Sequence, residues 1–150
     1  MDRLTRAALV ERFHTYGRPP GEQLIGAEFE RILLHADGTP VSYDERFGIR
    51  WVLEQLAARF GWTPVREGEN VIPLTRGKAN TTLEPGGQVE LSGAPFRSLH
   101  DVCSEALNSF GELRTLGDEG DLHMVALGLT PFPAIDDIPW MPTGRYRIMR

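Results

Sequence analysis

The stretch Leu83-Glu84-Pro85-Gly86-Gly87-Gln88-Val89-Glu90-Leu91-Ser92-Gly93 decides how the rest of the chain is read. Proline presets its own φ, and glycine tolerates the positive φ of a tight reversal, so Pro85-Gly86-Gly87 predicts a turn between two strands. After the turn, Val89 and Leu91 alternate with Gln88, Glu90 and Ser92, which puts the two kinds of residue on opposite faces of a strand at Gln88–Ser92. Before it, Asn80–Glu84 reads as the partner strand, and Glu84 lies where it can reach the face that carries Glu90.

Upstream, Gln23–Leu34 shows the same period, with Ile25, Ala27 and Phe29 set against Gly26, Glu28 and Glu30. Two strands can therefore aim several carboxylates at one volume. Unpaired carboxylates that close repel one another, and desolvation adds to the cost, so such a cluster is usually completed by a cation. Mg²⁺ suits an all-oxygen donor set and commonly bridges to substrate phosphates. The open polar face of a half-buried antiparallel sheet gives the same spacing, and spacing alone leaves both readings open.

The remaining elements follow from periodicity and punctuation. Leu4–Tyr16 predicts a helix with Leu9, Val10, Phe13 and Tyr16 on one side, stopped by Arg18-Pro19-Pro20-Gly21. A second helix is predicted from a Ser42/Glu45 capping box, the period of Ile49, Val52, Leu53, Leu56, Ala57 and Phe60, and a cap at Gly61. Thr63–Arg66 and Asn70–Leu74 read as strands. Ser98 opens a third helix with a buried face of Leu99, Val102, Cys103, Ala106, Phe110 and Leu113, and a strand is expected near Leu122–Leu129. Helices mixed with hairpin strands point to an α+β fold rather than a doubly wound one.

Composition sets outer bounds. A chain of 150 residues with 41% hydrophobic and 25% charged residues suits one soluble domain. Its net charge of −5, with Lys and Arg scattered, argues against nucleic-acid binding. No apolar run approaches the ~18 residues of a membrane span, and the N-terminus lacks a signal-peptide pattern. Cys103 is the single cysteine, so a reducing, cytoplasmic setting is expected. On its helix it reads as a small buried hydrophobe rather than as half of a catalytic pair with His100. His14, His35, His100 and His123 lack zinc spacing, Lys78 reads as solvated, and no Walker or Rossmann loop is present.

The Leu83–Gly93 stretch resembles the signature of the glutamate–cysteine ligase family of plants and many proteobacteria. Ile25-Gly26-Ala27-Glu28-Phe29-Glu30 is similar to that family's first acidic strand, and Glu67-Gly68-Glu69-Asn70-Val71-Ile72 and Met141-Pro142-Thr143-Gly144-Arg145-Tyr146-Arg147-Ile148-Met149 agree in order and spacing. The resemblance runs from about Glu11 to Arg150. It implies a fold similar to glutamine synthetase, with a curved, mostly antiparallel sheet forming a funnel flanked by helices. It also implies ATP-dependent joining of the glutamate γ-carboxyl to the cysteine amine through an acyl phosphate, the first step of glutathione synthesis. Glu28, Glu30, Glu84 and Glu90 would hold Mg²⁺, with Glu84 and Arg145 also serving catalysis, and Gln88, Arg145, Tyr146 and Met149 would meet substrate. Phe29 replaces a histidine common in relatives, and strand parity turns it to the core, away from any metal. Plant relatives use cysteine pairs for redox control, which one cysteine does not provide.

Because family members are much longer, residues 1–150 are expected to be the N-terminal portion of a single catalytic domain, cut off at Arg-Tyr-Arg-Ile-Met-Arg. A sister carboxylate–amine ligase with another acceptor remains open at this stage. So does an inactive fragment that binds only Mg²⁺ or nucleotide.

Overall fold

Leu83, Val89 and Leu91 alternate with polar neighbours on strands that follow one another closely, and with Val71 and Leu74 they form the floor of the core. In a computed structural model of the chain, which describes residues 4–131 and 133–149, six strands make one sheet: β1 (Glu28–Leu34), β2 (Thr63–Glu67), β3 (Asn70–Arg76), β4 (Ala79–Leu83), β5 (Val89–Ser92) and β6 (His123–Val125). Their order is β2-β3-β4-β5-β1-β6, and all pairs are antiparallel. Three helices join them, α1 (Arg6–Tyr16), α2 (Ile49–Phe60) and α3 (Leu99–Gly120). The expected α+β class is the one observed. Arg150, the last residue of the tail read above, lies outside the described residues.

Helices α2 and α3 cover one face of the sheet. Leu53 and Leu56 from α2 meet Leu113 and Leu116 from α3 and the sheet's buried residues in one continuous core. Phe29 faces this layer as parity requires, its ring edge-on to Phe110 at 5.3 Å. A polar clamp closes one side. Glu112 of α3 accepts from Arg76 (2.6 Å) and from the Trp62 indole (2.8 Å), and the Arg76 guanidinium lies 4.1 Å from the Trp62 ring centre. The opposite face keeps its polar residues, so the helices leave the carboxylate side of the sheet uncovered.

Several boundaries differ from expectation for local physical reasons. β1 begins at Glu28, with Ile25 making only an isolated bridge to Phe96. The Ser42/Glu45 box closes a turn instead of capping α2: the Glu45 carboxylate accepts from the Ser42 N–H at 2.8 Å, while the N-cap is Gly48. Gly61 does cap α2 in the left-handed region, at φ 74°. α3 extends to Gly120, and its buried stripe is Val102, Ala106, Ser109, Leu113, Leu116 and Gly117. Leu99 is exposed, and so is Cys103, which corrects the reading of it as buried. Successive helical residues are rotated by about 100°, so Cys103 falls off a stripe centred on Val102 and Ala106. β6 is three residues long, less than the segment expected there.

α1 carries the largest correction. Thr5 caps it by accepting from the Ala8 N–H at 3.1 Å, yet the helix buries no residue. Leu9, Val10, Phe13 and Tyr16 are 44%, 47%, 81% and 70% exposed. Periodicity marks the face that would pack, and carries no information on whether a partner is there.

Candidate active site

Strand register, more than loop geometry, assembles the acidic site. On the uncovered face Glu30 pairs with Glu90 across β1 and β5, and Glu90 pairs with Thr82 across β5 and β4. One pleat repeat along, Glu28, Ser92 and Asn80 form a parallel row. Glu84 and Gln88 continue the same register at the turn, where the Glu84 N–H donates to Gln88 O and the Gly87 N–H to Glu84 O, both at 3.0 Å. Gly87 sits at φ 85°, the left-handed conformation that the turn needs and that glycine adopts without strain. The Pro-Gly-Gly turn thus fixes Glu84 diagonally across from Glu90.

Carboxylates directly opposite on neighbouring strands repel, because paired Cβ atoms lie about 5 Å apart. The fold holds Glu30 and Glu90 in that arrangement nonetheless. Ser92 Oγ donates to Glu90 Oε1 at 2.7 Å, and Thr82 Oγ1 lies 3.4 Å from Glu90 Oε2. Burial raises the Glu84 pKa above the usual carboxylate range. Its hydrogen bond to Glu90 and the negative charges of Glu90 and Glu30 push the same way, and Arg145 opposes them. Glu84 therefore holds its proton more tightly than an ordinary carboxylate, at the edge of the acidic row.

Arg145 and Tyr146 reach this corner from a 3-10 turn at Gly144–Ile148. The Arg145 guanidinium donates to Tyr146 Oη at 2.7 Å, and the buried Tyr146 hydroxyl donates to Leu83 O, next to Glu84 in sequence. Burial raises the Tyr146 pKa, and the Arg145 hydrogen bond works against that rise. Tyr146 thereby ties the turn that carries Arg145 to the strand end that carries Glu84.

The structure therefore brings Glu30, Glu84, Glu90, Arg145 and Tyr146 into one neighbourhood, with Gln88 beside Glu84. Glu28 stands one row away, two residues and about 7 Å along its strand. Met149 is 65% exposed, at the far end of the 3-10 turn. Lys78 is exposed in the β3–β4 turn. Among the described residues, no group of three or more His, Cys, Asp or Glu side chains is gathered closely enough to hold a metal ion. The donor chemistry still fits a hard cation: two adjoining carboxylates, Glu84 and Glu90, a third across the strand and hydroxyls beside them. Sequence reading missed Thr82, although it is two residues from Glu84 and shares its face by parity. The Tyr146–Leu83 bond spans 63 positions, and no local pattern announces it.

Comparison with known proteins bears on this arrangement. Residues 24–150 match the family described as Glutamate-cysteine ligase family 2. The chain is 40% identical over 148 residues to the chloroplastic glutamate–cysteine ligase A of Oryza sativa subsp. japonica, covering 98% of this chain and 30% of that one. It is 36% identical to the chloroplastic enzyme of Arabidopsis thaliana and 40% identical to that of Solanum lycopersicum, spanning 28% of each. The chain thus spans about 30% of the length of the curated relatives it matches. These relatives also correct the cytoplasmic expectation, since each is a chloroplastic enzyme. A lone cysteine speaks for reducing surroundings and does not tell one reducing compartment from another.

Proposed function

The chain belongs to Glutamate-cysteine ligase family 2, and on that premise we propose that it forms the N-terminal portion of a single catalytic domain that joins glutamate to cysteine with ATP. The observation that carries this reading is the Glu30–Glu90–Thr82 register row with Glu84 diagonal to it. It is a set of like charges placed at a cost to the fold, on the face that the helices leave open. A sheet of this kind would contribute one wall of a glutamine synthetase-like funnel.

The chemistry explains the charges. The glutamate γ-carboxylate attacks the γ-phosphorus of ATP, ADP departs, and an acyl phosphate forms. The cysteine amine then attacks the acyl carbon, the C–N bond forms, phosphate leaves and the amine gives up a proton. Mg²⁺ bound at these carboxylates would neutralise phosphate charge and stabilise charge on the group in transfer. Glu84 and Glu90 are its first ligands in this reading, with Glu30 and then Glu28 behind them. Arg145 offers a guanidinium fork to a carboxylate or phosphate oxygen pair. Tyr146 holds that fork near Glu84, and Gln88 contacts substrate beside it. Met149 would meet substrate only at the rim.

In the intact ligase that contains this chain, ADP release should require glutamate, cysteine and Mg²⁺ together. Glu84→Gln and Glu90→Gln should each abolish it while the thermal unfolding transition persists. Wild-type turnover in either variant overturns the carboxylate assignment. ADP release indifferent to cysteine overturns the ligase reading.

A further inference from the structure

Glu67 and Asn70 close the β2–β3 hairpin as its last register pair, at the β2 edge of the sheet. Both side chains turn to the segment that leads into Arg145. Glu67 Oε2 accepts the Gly144 N–H at 3.1 Å, and Asn70 Nδ2 donates to Pro142 O at 3.3 Å. The orientation of the Asn70 amide is imposed from α2. The Arg50 guanidinium carries donors only, so it must meet the oxygen of Asn70 and leave the NH2 for the Pro142 carbonyl. Its Nη2 donates to Asn70 Oδ1 at 2.9 Å, its Nη1 to Glu69 O at 3.0 Å and its Nε to Asp44 Oδ1 at 2.8 Å. The Tyr43 ring lies 4.8 Å from the same guanidinium, and the Tyr43 hydroxyl donates to Val71 O at 2.8 Å. Arg50 therefore locks the hairpin tip to the first turn of α2.

Arg145 depends on such support. It is exposed, and its guanidinium has one hydrogen-bond partner among the described residues, Tyr146 Oη. Its aim is set by the backbone on which it stands. We propose that Glu67 and Asn70 are positioning residues for Arg145: the hairpin tip clamps Pro142–Gly144, and the clamp holds the guanidinium beside the strand end that carries Glu84. Tyr146 ties the other side of the same turn to Leu83 O, so the turn is held from two directions. The inference rests on the ligase reading, in which Arg145 meets substrate, and it adds residues that touch no substrate themselves. Neither Glu67 nor Asn70 belongs to the sealed core, and Glu67 is exposed, so their contacts act on the turn more than on the fold as a whole.

Hydrogen exchange in the intact ligase tests the clamp without turnover. Asn70→Asp keeps the oxygen for Arg50 and loses the donor to Pro142 O, and Glu67→Ala loses the acceptor for Gly144. In each variant the Tyr146 and Met149 amides, which are bonded inside the turn to Thr143 O and Tyr146 O, should exchange about tenfold faster while α3 amides keep their wild-type rates. Glu67→Gln retains an acceptor and should exchange as wild type. Unchanged turn amides in both Asn70→Asp and Glu67→Ala overturn the clamp, and if Asn70→Asp fails to fold, the exposed Glu67 position decides alone. Turnover then asks whether the clamp acts through Arg145. Asn70→Asp should lower kcat/KM about tenfold in the wild-type background and less than about twofold in Arg145→Lys, which keeps the charge and loses the fork. Equal losses in the two backgrounds overturn the positioning role. A wild-type protein without ligase activity counts against the functional reading, and the exchange result stands apart from it.

Discussion

Glu90 meets an acidic neighbour on both sides, Glu30 across β1 and Glu84 diagonally at the turn. The raised pKa of Glu84 gives this crowding a consequence that can be measured without any ligand. In the folded protein Glu84 binds its proton more tightly than in the unfolded chain, whose ordinary value is 4.5. The stability this contributes is complete below that value and is lost as pH rises through the higher folded value. Metal-free protein should therefore lose thermal stability from about pH 4.5 toward neutrality, and Glu84→Gln should flatten that slope and melt no lower than wild type at pH 7. Melting curves across this range decide it. Identical slopes in the two proteins would mean that Glu84 is not under the strain assigned to it. At this scale the sequence was a good guide to identity and a poor one to contact. Strand parity put Glu28 with Glu30, and Gln88 with Glu90, on one face of their own strands, with Glu84 within reach, and the strand pairing brought those faces together. The hydroxyl support from Thr82 and Ser92 followed the same parity, and only the Ser92 position was read. The Tyr146 bond to Leu83 O joins distant segments, which periodicity does not relate.

The elements show where packing overrides local pattern. Gly48, and not Ser42, caps α2, because an added Cβ at Gly48 would stand 2.5 Å from Ser42 O, 2.7 Å from Tyr43 O and 2.9 Å from Glu45 O. Those carbonyls belong to the turn that feeds the helix, so Gly48→Ala should destabilise by about 1–3 kcal/mol, read from urea unfolding at constant m-value. α3 depends on one carboxylate at its centre. Glu112→Ala leaves the Trp62 indole N–H and the Arg76 guanidinium without their shared acceptor and should cost a similar ~1–3 kcal/mol. α1 is expected to behave differently: Phe13 is 81% exposed, and Phe13→Ser should change stability by less than about 0.5 kcal/mol. A larger loss would mean that α1 packs on something. Strands β2 to β5 and the C-terminal cap of α2 at Gly61 were legible because turns and alternation are local. The true stripe of α3 was not, since choosing between Val102 and Cys103 depends on how the helix is rotated against the sheet.

At the scale of the whole molecule, the two faces of the sheet differ in kind. One is sealed by α2 and α3 into a continuous core, and on the other, among the described residues, no helix lies over the carboxylates. An active site that transfers a phosphoryl group excludes water, because fixed charges act far more strongly in a closed, low-dielectric site than on an open face. The described residues supply charge, and they do not supply enclosure. Relatives of which this chain spans about 30% have the further length from which the opposite wall would come. Residues 1–150 on their own should therefore fold their sealed core yet release no ADP in the presence of glutamate, cysteine, ATP and Mg²⁺. The intact ligase under the same conditions should turn over, and cooperative unfolding of the 150-residue chain would show that lack of activity is not lack of structure. ADP release from the 150-residue chain that depends on both amino acids would mean that the open face is already sufficient for catalysis, and that the enclosure argument is wrong.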